Sequence, residues 1–119
     1  MIVKRLEDFR PFTAVDESEI VEVIGLKSTD INEVSLARAI IKPGKRTRRH
    51  YHKFHEIYMI ASGKGIMHLN NETKEVKTGD NILIPPKSWH FIENICKGNL
   101  EIWCICVPAF RQEETEVGE

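Results

Sequence analysis

The feature that most limits what this chain can become is its punctuation. Apolar, β-branched and aromatic residues come in short runs, each bounded by Gly, Pro, Asn or Asp: 2–6, 19–26, 34–41, 48–52, 56–61, 65–69, 74–77, 81–84, 90–94 and 100–107. No long stretch carries the 3.6-residue period of an amphipathic helix, and the one helical candidate is a single turn within 28–34. Many short strands at regular spacing predict an all-β fold, an antiparallel sandwich or barrel. At 119 residues and 41% hydrophobic content the chain is sized for one domain, with a core that needs no disulfide staples.

Charge narrows the partners. The 17 Lys and Arg against 18 Asp and Glu leave a net −1, so neither nucleic acid nor an anionic membrane is expected as a partner. Met1-Ile2-Val3-Lys4-Arg5 runs straight into Glu7 and Asp8, too short an apolar run for a secretory signal or a membrane span. With three cysteines, at least one of them unpaired, the expected compartment is a reducing cytoplasm. Cys104 and Cys106 lie two apart on a strand and share a face, as a metal or redox pair or as small core hydrophobes.

The chemistry is concentrated in the histidines, all five of which fall between residues 50 and 90. His50 and His52 point to the same face of one strand, Glu56 opens the next strand, and His90 follows the Pro85-Pro86 turn. Imidazole and carboxylate are ligands that Zn, Fe, Mn and Ni share. Four of them from adjacent strands would cover one side of an ion and leave positions for water or a substrate. The glycines and prolines around them carry more information than the ligands alone. Gly44 is followed by five residues, His50-Tyr51-His52, three residues, Glu56, six residues and Gly63. Gly79 is followed by five residues, Pro85-Pro86-Lys87, two residues, His90, three residues and Asn94.

This arrangement resembles the paired motifs of the cupin family, with one departure: Lys87 stands where the family has glycine. The resemblance implies an antiparallel jelly-roll barrel of about six to eight strands. In its mouth His50, His52, Glu56 and His90 would hold one divalent transition metal ion, Fe, Mn, Ni or Zn. On this reading residues 1–33 are N-terminal strands of the same domain and the edge of a homodimer. Residues 34–108 are the conserved barrel, and 109–119 form an acidic tail expected to fray. Asn94 is expected to be a loop or core hydrogen-bonding residue rather than a ligand.

Strand alternation extends the inventory. Counted from Arg46, it puts Arg46, Arg48, His50 and His52 on the inner face and Lys45, Thr47, Arg49 and Tyr51 on the outer one. Glu56, Tyr58 and Ile60 face inward, with Ile57 and Met59 packing elsewhere. Arg48 is then the candidate substrate-binding residue, its guanidinium forked onto a carboxylate or phosphate, unless it pairs with a rim carboxylate. Tyr58 is the candidate catalytic residue, a proton or hydrogen-bond donor, unless it fills the core. The basic run at 45–49 reads as a solvated rim, the mouth of an anionic-substrate site, or a small nucleic-acid patch. His55 is expected outside, and His68 could face the interior without being a ligand. Trp89 and Phe91 either keep the site dry or pack the core.

Over its length the chain looks like the small stand-alone cupins of the mannose-6-phosphate isomerase-like kind. That resemblance implies a metal-dependent isomerase or dioxygenase acting on a small anionic metabolite. The alternative is a non-catalytic binding or sensing protein in which the metal only holds the ligand. Alternation places no unassigned carboxylate inside, which leaves Tyr58 or water on the ion as the base.

Overall fold

A computed structural model describes residues 1–118. Among them eleven strands form two antiparallel sheets. Strands β1 (Phe12–Thr13), β2 (Glu19–Ile24), β3 (Ser35–Ile41), β5 (His55–Ser62), β8 (Asn81–Ile84) and β10 (Leu100–Val107) make the six-stranded sheet, in the order β1-β2-β3-β10-β5-β8. Strands β4 (His50–His52), β6 (Lys64–Leu69), β7 (Glu72–Lys77), β9 (His90–Asn94) and β11 (Thr115–Val117) make the five-stranded sheet, in the order β11-β4-β9-β6-β7. The only other regular pieces described are one helical turn, α1 (Leu26–Thr29), and two 3-10 turns at Leu6–Asp8 and Gln112–Glu114.

The core lies between the sheets because the longer strands of both alternate apolar residues on the facing side. Ala39, Ile41, Tyr58, Ile60, Leu100 and Ile102 face it from the six-stranded sheet, and Met67, Val76 and Ile92 from the five-stranded one. Each such aliphatic side chain contributes about 1.5–3 kcal/mol of burial. The short link Lys53-Phe54 carries the chain from β4 to β5, that is, from one sheet to the other. His50 and His52 therefore face Glu56 across the barrel rather than along one surface. Gly65 on β6 sits where the β9 backbone passes: a Cβ there would lie 2.7 Å from the Glu93 carbonyl oxygen.

Lys87 resolves its departure from the motif by behaving as the glycine would. Its φ is 61°, in the left-handed region, and its N–H donates to the His52 carbonyl at 2.7 Å. The loop that aims His90 keeps its shape, at a cost of about 1 kcal/mol for a side chain in that region. Asn94 is the expected core hydrogen-bonding residue: its amide donates to the Ile41 and Gly98 carbonyls, each at 2.9 Å.

Four expectations are corrected. Residues 2–6 are not a strand; Ile2 and Val3 are exposed and the chain joins the sheet only at Phe12, after Pro11. The tail at 109–119 does not fray within its described residues: Ala109 is fully buried and β11 pairs with β4, Thr115 opposite His52 and Val117 opposite His50. An open β4 edge is thereby covered. The alternation counted from Arg46 also fails. Thr47 is the buried residue, its hydroxyl accepting the Ile92 N–H at 3.0 Å, while Arg46, Arg48 and Arg49 are exposed. Two consecutive outward residues, Arg48 and Arg49, separate Thr47 from His50, so the count slips by one. Finally, the inward positions of β6 belong to Gly65, Met67 and Leu69, so His68 lies outside, stacked on Phe91 and bonded to Glu93 at 2.6 Å. Trp89 is outside as well, beneath the Arg49 guanidinium at 4.2 Å. No helix among the described residues is long and apolar enough to cross a membrane.

Candidate metal centre

The two sheets bring His50 and His52 of β4, His90 of β9 and Glu56 of β5 together, all four buried, with one potential ligand atom from each within 4.8 Å of the others. The rings are oriented by what their far nitrogens bond. His50 Nδ1 meets the Arg48 carbonyl at 2.6 Å, and His90 Nδ1 meets the Ser88 carbonyl at 2.9 Å. A carbonyl only accepts, so each Nδ1 carries the proton and each Nε2 is left with its lone pair. His52 Nδ1 meets Thr115 Oγ1 at 2.7 Å, and that hydroxyl spends its own proton on the Arg111 carbonyl at 3.2 Å. The same tautomer follows for His52. Three lone-pair nitrogens thus turn toward one carboxylate.

That arrangement fits a cation. Glu56 Oε1 lies 3.2 Å from His52 Nε2 and 3.4 Å from His90 Nε2. Neither Glu56 Oε1 nor His90 Nε2 has a hydrogen-bond partner, although both are buried. Lone pairs facing a carboxylate at these distances repel, and only a metal ion or added protons relieve them. Burial pushes the Glu56 carboxyl upward, but the imidazoles of His52 and His90 beside it outweigh burial and hold that group well below the usual carboxylate range. Burial, reinforced by the neighbouring His90, lowers His50 to about 4. The group could hold one ion; nothing in the donor set chooses among Fe, Mn, Ni and Zn.

The space beside the four ligands is a cavity of about 60 Å³ with largely apolar walls, Ala37, Ala39, Ile41, Ile92 and Ile102 among them. Tyr58 lines it, with its ring 5.9 Å from that of His90. Burial and then the Glu56 charge push the Tyr58 phenol well above its ordinary value, so it is a hydrogen-bond donor and not a base. Arg48 does not reach the cavity. It is exposed, lines an outer groove with Lys45, Arg46 and Arg49, and bonds the Gly118 carbonyl at 3.3 Å. The basic run is an outer surface and not the mouth of the site.

Asp16 and Thr115 escaped the sequence reading. Asp16 lines the cavity, one carboxylate oxygen 3.7 Å from His50 Nε2 and the other accepting from the Ser18 N–H at 3.0 Å and hydroxyl at 2.6 Å. It is the internal carboxylate that alternation did not supply, because it sits in the loop before β2. The signal available was Asp-x-Ser, the spacing of an Asx turn. Cys106, which the sequence offers only as half of a pair with Cys104, contacts the candidate ligand Glu56. Its thiol donates to Glu56 Oε2 at 3.4 Å, which leaves Oε1 to face the imidazoles. Burial, then the Glu56 charge, raises the thiols of both Cys104 and Cys106, so they stay protonated; both line the cavity and neither belongs to the four-residue group.

Comparison with known proteins agrees with this geometry. Residues 37–107 match the family described as the Cupin domain. An uncharacterised protein of Methanocaldococcus jannaschii is 40% identical, over 100% of this chain and 96% of its own length. A Thermotoga maritima structure, described as that of a predicted oxalate decarboxylase, superposes with a TM-score of 0.79 at 25% identity, covering 90% of this chain and 99% of that one. An oxalate decarboxylase from Lactobacillus farciminis superposes at 0.80 with 20% identity, covering 93% of this chain but 34% of that one, and shows the fold alone. Motif spacing, paired sheets, a four-residue His and Glu cluster and a match over most of the barrel lead to one conclusion: the chain belongs to the cupin domain family.

Proposed function

We propose that this cupin holds a single divalent transition metal at His50, His52, Glu56 and His90 and binds or acts on a small metabolite at the open side of that ion. The observation that carries the reading is the convergence of three lone-pair nitrogens and an unpartnered carboxylate oxygen in one buried cavity. When bound, such an ion supplies Lewis acidity to a ligand oxygen. A divalent ion with the Glu56 carboxylate leaves one positive charge among the four ligands, which suits one carboxylate or similar oxygen donor. The cavity of about 60 Å³ admits only a few water-sized groups. That volume favours a short-chain acid, in keeping with the oxalate chemistry named for the Thermotoga relative.

Whether the ligand reacts or is only held turns on Asp16 and Tyr58. Tyr58 supplies a hydrogen bond, and Asp16 is the carboxylate placed to accept one from a ligand beside His50. The exposed apolar residues on the outer face of the six-stranded sheet, Met59, Leu83 and Val107, support a homodimer that covers them. The three free thiols suit a reducing cytoplasm.

Metal analysis of protein purified without added metal tests the site. Close to one first-row ion per chain is expected, and the double change His50→Ala, His52→Ala should abolish it while leaving the β circular-dichroism spectrum intact. A chain that neither carries metal nor takes up Fe, Mn, Ni or Zn would end this reading. Turnover of oxalate and other short acids by the loaded protein supports the enzyme; a rise in melting temperature without turnover supports the binder.

A further inference from the structure

The metal cavity shares three of its walls with a second space. Phe12, Glu22 and Phe110 line the inner cavity and also an outer one of about 490 Å³, whose remaining walls come from the N-terminal segment, the α1 turn and the tail. Two aromatic rings and a carboxylate are therefore common to the walls of both spaces. The two spaces differ in charge. No Lys or Arg lines the inner one, whereas Arg10, Lys27 and Arg111 line the outer one against Glu22 and Glu113. Among the described residues none of these three cations has a carboxylate oxygen within 4.0 Å. Beside them the Ser28 hydroxyl is buried and has no hydrogen-bond partner.

We propose that the outer cavity is the anion-recognising half of a two-part ligand site, in which Arg10, Lys27 and Arg111 receive a carboxylate or phosphate group while the other end of the same molecule reaches the inner cavity between Phe12 and Phe110. The inference rests on the metal-site reading above and narrows its ligand. The outer volume is that of a site for a whole small molecule, and the inner one has room only for a terminal group. Unpaired guanidinium groups are suited to fork onto an anionic oxygen pair. The two rings favour an apolar linker, and Glu22 between them opposes negative charge in its middle. The ligand class is thus a short acid with charge at its ends and methylenes between. The cationic clamp expected at Arg48 is, on this view, supplied by residues outside the histidine motifs.

The test uses the full chain loaded with Mn(II) and three probes, acetate, glutarate and 4-phosphonobutyrate, titrated calorimetrically. Acetate reports the inner site alone. Glutarate and the phosphonate are expected to bind at least about tenfold more tightly, as charge-assisted bonds at a second point would give. The tighter of the two identifies the anion preferred outside. The triple variant Arg10→Gln, Lys27→Gln, Arg111→Gln should bring both back to the acetate value without changing metal stoichiometry or acetate affinity, and Arg111→Gln alone should remove part of the gain. Two-ended acids that bind no better than acetate, a gain that survives the triple change, or loaded protein that binds none of the probes would overturn the proposal. A chain that takes up no Mn(II) or other first-row ion fails earlier, at the metal site itself, and is recognised by its metal content.

Discussion

One hydroxyl decides which nitrogen of His52 faces the Glu56 carboxylate. Thr115 spends its proton on the Arg111 carbonyl and so can only accept from His52 Nδ1. Thr115→Val keeps the shape and removes the acceptor; metal affinity is expected to fall by about tenfold, with Thr115→Ser restoring it, as measured by competition with a chelator. An unchanged affinity in the valine variant would remove Thr115 from the site. Cys106 acts on Glu56 in the same way through Oε2. The four candidate ligands were legible in the sequence because the glycines and prolines around them resemble a family pattern; strand alternation by itself pairs only His50 with His52. Asp16 and Thr115 were not. One is in a loop with no alternation to read, and the other belongs to a segment whose pairing with β4 spans more than half the chain. Arg48 was misplaced for a related reason: a one-residue slip just before His50 inverts every inward assignment upstream of it.

At the scale of elements, most of strands β2 to β10 follow the punctuation closely, since their apolar faces and turn residues are written locally. Strand β11 has three residues, one of them Glu116, and nothing local marks it as a strand. It exists because β4 offers an open edge. Removing residues 109–119 is therefore expected to strip that edge and take Thr115 with it, so that the shortened chain loses metal and melts lower, whereas a frayed tail could be cut without effect. Calorimetry and metal content of the shortened chain decide between them. The Lys87 loop gives a prediction of the opposite sign. Lys87→Gly relieves a left-handed side chain and should stabilise the protein by about 1 kcal/mol in chemical denaturation. No gain, or a loss, would mean that the side chain makes a contact that offsets the strain.

For the whole molecule, the buried histidines make stability depend on pH in a definite direction. His50 titrates at about 4 in the folded chain against an ordinary 6.5, so the unfolded chain binds the proton first as pH falls. Stability of the metal-free protein is thus full above about 6.5 and declines toward about 4, by on the order of 3 kcal/mol from this group. Glu56, held low, adds a loss of the same sign at still lower pH. Melting temperatures across pH 4 to 7 should show the slope, and His50→Gln should flatten it; a flat wild-type profile would contradict the burial of a neutral imidazole. The division of the four ligands between the sheets has a mechanical side. Three of them belong to the five-stranded sheet and Glu56 to the six-stranded one, so a bound ion ties the two halves of the barrel together. It also closes the loop from His50 to His90, and a permanent tether of that length would be worth about 4 kcal/mol of chain entropy. Unlike a disulfide, this tether can be lifted out by a chelator, and the barrel left behind is free to breathe along the seam between its sheets.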